Sequence, residues 1–257
     1  MIAAGAIIHP DASIGEGVEI GAYSVVGANV TINENSWIGP HVVIKGPTRI
    51  GKNNKIFQFC SIGDDPQDKK YTGDKDSALE IGDGNTIREY CSINRGTAPG
   101  GGITCIGNDN WIMAYVHIAH DCLVGNNTIF ANNATLAGHV VIDDFVILGG
   151  FTGVHQFCRV GRHSLTAISS VVVQDVPPYL IVAGNTAKPG GLNRQGLKRH
   201  GFSQEVINDL RKAYKTIYRD GLLLKDALDK LESLTAESIE VSEFVRFIQA
   251  STRGIVR

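Results

Sequence analysis

Broken every six residues, the stretch from Ile106 to Val160 reads IGNDNW-IMAYVH-IAHDCL-VGNNTI-FANNAT-LAGHVV-IDDFVI-LGGFTG-VHQFCR-V. Each block opens on a large apolar residue: Ile106, Ile112, Ile118, Val124, Phe130, Leu136, Ile142, Leu148, Val154, Val160. The same register runs unbroken from Ile2 through Ile8, Ile14, Ile20, Val26, Ile32, Ile38, Ile44, Ile50 and Ile56 to Ile62, and resumes at Ile81, Ile87 and Ile93. Small or β-branched residues prevail four positions later, as at Val18, Ser24, Val42, Thr48, Val116, Thr128, Ala134 and Thr152. A period of six matches neither the 3.6 of a helix nor the alternation of a half-buried strand. It fits short strands joined by tight turns, three hexads to a triangular coil, with coils stacked as parallel strands about 4.8 Å apart. The fold class expected is therefore mainly β, a left-handed parallel β-helix of hexapeptide repeats. About two dozen interior aliphatics, at roughly 1.5–3 kcal/mol for each fully buried side chain, supply the driving force.

Two stretches leave the frame, one near residues 68–80 and strongly charged, the other near 99–105 with Gly100-Gly101-Gly102. Insertions in a solenoid project from the shaft as loops, often at a binding face. The repeat decays at Pro177-Pro178-Tyr179, and beyond it the spacing becomes helical, with helices expected over about 203–219, 224–233 and 238–251. The expected organisation is a β-helix over 1–188 and an α-helical C-terminal domain over 189–257, which could cap the open end of the solenoid.

The chain has 257 residues, 43% hydrophobic and 19% charged, with a formal net charge of −2. That balance predicts no general affinity for nucleic acid or anionic membranes. The apolar start at Met1–Ile8 is too short for a signal peptide or a membrane span, so a cytoplasmic location is expected. Five cysteines without C-x-x-C spacing favour neither a disulfide framework nor a thiolate zinc site. Four of them (Cys60, Cys91, Cys122, Cys158) occupy the small inward position and read as buried thiols.

Residues 18 apart occupy equivalent places in successive coils, which puts His120, Gly138 with His139, and His155 with Gln156 on one column. Stepping back across the second insertion adds Asn94 and Arg95, and the hexad of Ile62 launches the loop carrying Asp68, Lys69 and Lys70; His117 lies beside Ile118. An imidazole can take a proton from a hydroxyl at neutral pH. His120, followed by Asp121, is the candidate base, and Gly138 could offer a backbone N–H to a developing oxyanion. Two other readings stay open on these residues alone: a trimeric zinc site of the γ-carbonic-anhydrase type, with imidazole ligands, and a non-catalytic scaffold, which leaves the histidine column unexplained.

The stretches His117-Ile118-Ala119-His120-Asp121-Cys122, Ala131 to Val140 and Val154-His155-Gln156-Phe157-Cys158 closely resemble the acyl-ACP:UDP-N-acetylglucosamine O-acyltransferases of lipid A biosynthesis. Gln67-Asp68, Lys70-Tyr71, Asn94-Arg95-Gly96-Thr97, Gln174 to Tyr179, Gly196-Leu197-Lys198-Arg199 and Ser251-Thr252-Arg253-Gly254 extend the resemblance over essentially the whole chain. It implies a homotrimer with clefts between adjacent prisms, where His120 deprotonates the glucosamine 3-hydroxyl, Asp121 orients His120 and Gly138 supports the oxyanion. Asp68, Lys70, His117, His139, Gln156, Asn193 and Arg199 then correspond to substrate-contacting positions, with His155 close by. No metal or diffusible cofactor is implied, because the acyl group arrives on the phosphopantetheine of acyl carrier protein. That acidic partner is expected to dock on basic residues such as Lys198, Arg199 and Arg211. Three positions depart from the family pattern: Asn94, where His is frequent; His200, where Arg is usual; and Ile168, which resembles an acyl-length ruler that is Gly in members taking longer chains. Ile168 implies a medium-length acyl group, unless it is a simple core substitution. The related N-acyltransferase carries an extra N-terminal domain, whereas the repeat here begins at Ile2; a 3-amino sugar acceptor remains open.

Overall fold

The computed structural model describes residues 1–73 and 76–257; Asp74 and Lys75, inside the first expected insertion, lie outside the described residues. Among the described residues, two- to five-residue strands stack into three sheets of nine, eight and ten strands, the faces of a left-handed triangular prism. The first face runs from Ile7–Ile8 to Val171–Val172, the second from Ser13–Ile14 to Arg159–Val160, and the third begins at Glu19–Ile20. Every strand pair on the first two faces is parallel, and the register is that of the hexads: Ile118 pairs with Leu136, and Leu136 with Val154. Across the insertions Ile62 pairs with Ile93 and Ile93 with Ile118, so the chain leaves and re-enters the prism without losing its frame.

The hexad-opening residues from Ile20 to Val160 point inward and are buried, and the small position beside them is occupied by Val30, Val42, Cys60, Cys91, Val116, Cys122, Ala134 and Cys158. Burial pushes the Cys122 thiol up to about 12, as expected of a small hydrophobe inside the prism. A second ladder occupies that position on another edge. Asn54 Oδ1 accepts from Asn85 N at 2.9 Å, Asn85 Oδ1 from Asn110 N at 2.9 Å and Asn110 Oδ1 from Thr128 N at 2.8 Å. Their amide nitrogens donate to the carbonyls of Gly82, Gly107 and Gly125 at 2.8–3.0 Å. These buried amides satisfy backbone groups at corners where no strand pairing reaches them.

Strand pairing continues past Pro177-Pro178. Leu180–Ala183 adds to the third face in parallel with Leu165–Thr166, and Lys188–Leu192, which spans the expected boundary at 188–189, turns back antiparallel to it. Helix α1 (Arg194–Arg199), absent from the sequence expectation, follows at once. Then come α2 (Gln204–Tyr218), α3 (Leu224–Lys230), α4 (Glu232–Glu237) and α5 (Ile239–Gln249). The helix expected over 224–233 is thus a shorter helix followed by a second one. Ser203 caps α2 and Ser238 caps α5, each accepting from the N–H three residues on. The terminal segment returns to the prism: Asp175 N donates to Gly254 O at 3.0 Å and Val256 N to Asp175 O at 2.9 Å. No helix of the described residues is long and apolar enough to cross a membrane.

Candidate active site

The strand His117–Ile118 on the first face and Leu123–Val124 on the second are joined by the corner Ala119-His120-Asp121-Cys122. Asp121 adopts φ 59°, a left-handed conformation that Asp tolerates, and its coil equivalents His139 and Phe157 adopt φ 61° and 64°. Three corners of one shape therefore stack. The His139 ring lies on Phe157 at 4.4 Å between centroids and 10° between planes, while His120 meets His139 edge-on at 5.2 Å. Beside them is a cleft of about 540 Å³ lined by Gln67, Asp68, Lys70, Ala119, His120, His139, Gln156 and Phe157.

The Asp121 side chain is 1% exposed and is held from several sides. His120 Nδ1 is 2.7 Å from Oδ2, Thr97 N donates to Oδ1 at 2.8 Å and Thr97 Oγ1 donates to Oδ2 at 2.7 Å. Because a carboxylate only accepts, Nδ1 is the donor in this contact, and in the neutral ring Nε2 then carries the lone pair. His139 Nε2 is 3.7 Å from the same Oδ2, beyond hydrogen-bond range. On its other side the His120 ring lies against Gly138: a Cβ there would be 2.6 Å from Cε1 and 2.7 Å from Nε2, so only glycine leaves room for the imidazole. Among the described residues the Gly138 N–H has no acceptor.

The remaining expected site residues divide. Asp68 and Lys70 lie in the cleft, and Asp68 Oδ1 accepts from Lys70 N at 2.9 Å, which turns the loop over. Arg95, expected on the column, anchors that loop instead: it donates to Gly46 O at 3.0 Å, Gly63 O at 3.3 Å and Tyr71 Oη at 3.2–3.3 Å, and pairs with Asp65. Asn94 donates to Asp65 O at 2.9 Å. His117 is half-buried with Nδ1 2.8 Å from Ser92 Oγ, and burial holds it below its usual value, hence neutral at pH 7. His155 does not line the cleft; its Nδ1 is 3.4 Å from Arg253, a contact from the C-terminal segment that strand periodicity could not reveal. Asn193 and Arg199 also lie outside it. Asn193 caps α1, with Oδ1 accepting from Gly196 N at 3.1 Å and Nδ2 donating to His163 O at 2.9 Å, and Arg199 is exposed in the last turn of α1. Ile168 is 71% exposed on the corner joining the third face to the first, so the reading of it as a core substitution is corrected. Thr97 carries no role in the sequence reading: four residues after Ile93 it counts as a small inward position, yet at the mouth of the second insertion it turns to the Asp121 carboxylate.

Known proteins resemble this chain over nearly its whole length. The family model described as UDP-N-acetylglucosamine O-acyltransferase, domain 2, matches residues 175–256, and the bacterial transferase hexapeptide model matches 1–34 and 106–138. A curated acyl-[acyl-carrier-protein]–UDP-N-acetylglucosamine O-acyltransferase of Thiobacillus denitrificans is 54% identical over 252 residues, covering 98% of this chain and 97% of its own. One from a Janthinobacterium species is 55% identical over 256 residues with the same coverage. The solved UDP-N-acetylglucosamine acyltransferase of Francisella novicida superposes with a TM-score of 0.97 at 46% identity, covering 100% of this chain and 94% of that one. With this identity over nearly its full length, the chain belongs to the acyl-[acyl-carrier-protein]–UDP-N-acetylglucosamine O-acyltransferase family.

Proposed function

We propose that this chain transfers an (R)-3-hydroxyacyl group from acyl carrier protein to the glucosamine 3-hydroxyl of UDP-N-acetylglucosamine, the first step of lipid A biosynthesis. The observation that carries the reading is the 2.7 Å contact between His120 Nδ1 and buried Asp121, with the same imidazole resting on Gly138 at the cleft. His120 Nε2 takes the proton of the 3-hydroxyl as its oxygen attacks the thioester carbonyl. The tetrahedral oxyanion receives the Gly138 N–H. On collapse the C–S bond breaks, and the imidazolium returns its proton to the departing thiolate of phosphopantetheine, leaving an ester. Asp68, Lys70, His139 and Gln156, which line the cleft, bind the two substrates.

His120, Asp121 and His139 have ligating atoms within 4.8 Å of one another, the geometric minimum for a zinc reading. Both Asp121 oxygens are already accepting hydrogen bonds, from Thr97 and from His120, so the chemistry of this donor set favours orienting an imidazole over holding a cation. The reading therefore needs no metal or diffusible cofactor; acyl carrier protein brings the pantetheine.

A homotrimer completes the reading. Tyr23, His41, Phe59, Tyr90 and Tyr115 stack at 4.9–5.3 Å on the corner between the third and first faces, and Phe151 and Ile168 lie exposed on that same corner in later coils. Packing this stripe against the His120 corner of a second copy would hide it, set Ile168 beside the acyl chain and bring the helical segment with Asn193 and Arg199 to the cleft's rim. Lys198, Arg199 and Arg211 then offer positive charge to the acidic carrier, and both substrates point to the cytoplasm. Incubation with 3-hydroxyacyl carrier protein should release thiol only when UDP-N-acetylglucosamine is present, giving a 3-O-ester cleaved by mild base. Thiol release that ignores the sugar nucleotide would overturn the assignment, and an amide product from a 3-amino sugar alone would reassign the acceptor.

A further inference from the structure

We infer that Thr97 and Gly100, in the insertion between the strands Ser92–Asn94 and Ile103–Ile106, form a seat that fixes the Asp121 carboxylate and through it sets His120 for the reaction. The inference rests on the general-base reading of His120. The insertion replaces an ordinary corner with a 3-10 turn, Ala98–Gly100, capped by Thr97. Thr97 spends both of its donors on one carboxylate, N–H to Oδ1 at 2.8 Å and Oγ1–H to Oδ2 at 2.7 Å, while Oγ1 accepts from Gly100 N at 3.2 Å. From the other side Asp121 N donates to Thr104 Oγ1 at 2.8 Å. Gly100 closes against the carboxylate so tightly that a Cβ on it would fall 2.2 Å from Asp121 Cγ. The insertion thus wraps the acid itself, and its Gly100 is glycine because Asp121 occupies the space of a side chain.

The oxygen that accepts from Thr97 Oγ1 is also the one that faces His120 Nδ1. It has an alternative: His139 Nε2 stands 3.7 Å away, just beyond hydrogen-bond range. Thr97 decides between the two imidazoles. A buried carboxylate needs its hydrogen bonds filled, and one deprived of the Thr97 hydroxyl would turn toward His139, releasing His120 from its productive orientation. Thr97 touches neither substrate nor reacting atoms and is a positioning residue.

The test compares kcat and KM for acyl transfer in wild type, Thr97→Val, Thr97→Ser, Gly100→Ala, His120→Ala and the Thr97→Val/His120→Ala double variant. Misplacement of a catalytic group by an ångström costs up to about 10²-fold, so Thr97→Val should lower kcat roughly 10- to 100-fold with KM for both substrates little changed. Thr97→Ser, which keeps the hydroxyl, should restore most of it. Gly100→Ala displaces the carboxylate without removing a donor and should show the same kcat-only loss, which keeps the inference testable if Thr97→Val is unstable. In the His120→Ala background Thr97→Val should cost nothing further. Wild-type kcat in Thr97→Val and Gly100→Ala, or an undiminished Thr97→Val loss without the imidazole, would overturn the seat. Full activity in His120→Ala would instead remove the general-base reading on which it stands.

Discussion

Gly138→Ala isolates what the imidazole's position is worth. The new methyl carbon would sit 2.6 Å from His120 Cε1 and 2.7 Å from Nε2, at least about 0.7 Å inside ordinary van der Waals contact. Gly138 has no left-handed φ, so alanine brings no backbone strain and the clash is the whole perturbation. Relief requires the ring to swing off, and the ring is tethered by the 2.7 Å Nδ1 contact to an Asp121 side chain that is 1% exposed. The imidazole must therefore lose its partner or move by close to an ångström, and either should cost about 10²-fold in kcat. The added methyl also crowds the N–H proposed for the oxyanion, where one lost donor is worth about 10²–10³-fold. Steady-state acyl transfer should show a fall of about 10²-fold or more in kcat, while the melting temperature drops by only a few degrees because the buried Asp121 carboxylate keeps both Thr97 donors. Wild-type kcat in a folded Gly138→Ala protein would refute the proposed packing of His120 on this turn.

Asn85→Leu should lower the denaturation free energy by roughly 2–5 kcal/mol, since it orphans the buried Asn110 N–H and Gly107 C=O at about 1–3 kcal/mol each along with its bond to Asn54; a denaturant midpoint equal to wild type would contradict the ladder's role. His163 is pushed down to about 4 from 6.5, first by burial and then by Arg162 and His200, against Asp144. The folded chain therefore binds this proton less readily than the unfolded one, and stability present above pH 6.5 is lost as pH falls through about 4. His163→Phe, which keeps the stack on Phe145 at 4.7 Å, should flatten that limb in melts taken from pH 7 to 4. Ile168→Gly, at a 71% exposed position, should shift donor preference toward longer 3-hydroxyacyl chains without changing stability; an unchanged length profile would remove Ile168 as the ruler.

The prism was legible because its signal is additive. Each hexad adds one inward aliphatic, and a register kept from Ile2 to Ile62 and from Ile106 to Val160 leaves no other period. The column followed from it, since residues 18 apart must stack, and His120, Gly138 and Gln156 do. What escaped were contacts made across the frame. Thr97, four residues after Ile93, counts as a small inward position, and its link to Asp121 spans 24 residues. Arg95 counts correctly onto the column, yet its guanidinium turns to Tyr71 and two backbone carbonyls, because a loop lacking strand pairs must find its hydrogen bonds elsewhere. Asn54, Asn85 and Asn110 look like breaks in an apolar pattern until the corner carbonyls they satisfy are known. Arg253 reaches His155 over 98 residues, and α1 is too short to carry a periodic signal.

The role of His120 is tested most directly by single-turnover acyl transfer from 3-hydroxyacyl carrier protein to UDP-N-acetylglucosamine, comparing wild type with His120→Ala, each with and without a strong chelator. A positioned general base contributes about 10²–10⁴-fold, so the variant should lose that much with its fold intact, and the chelator should change neither protein. Activity retained in His120→Ala, or wild-type activity abolished by the chelator and restored by zinc, would contradict the general-base account.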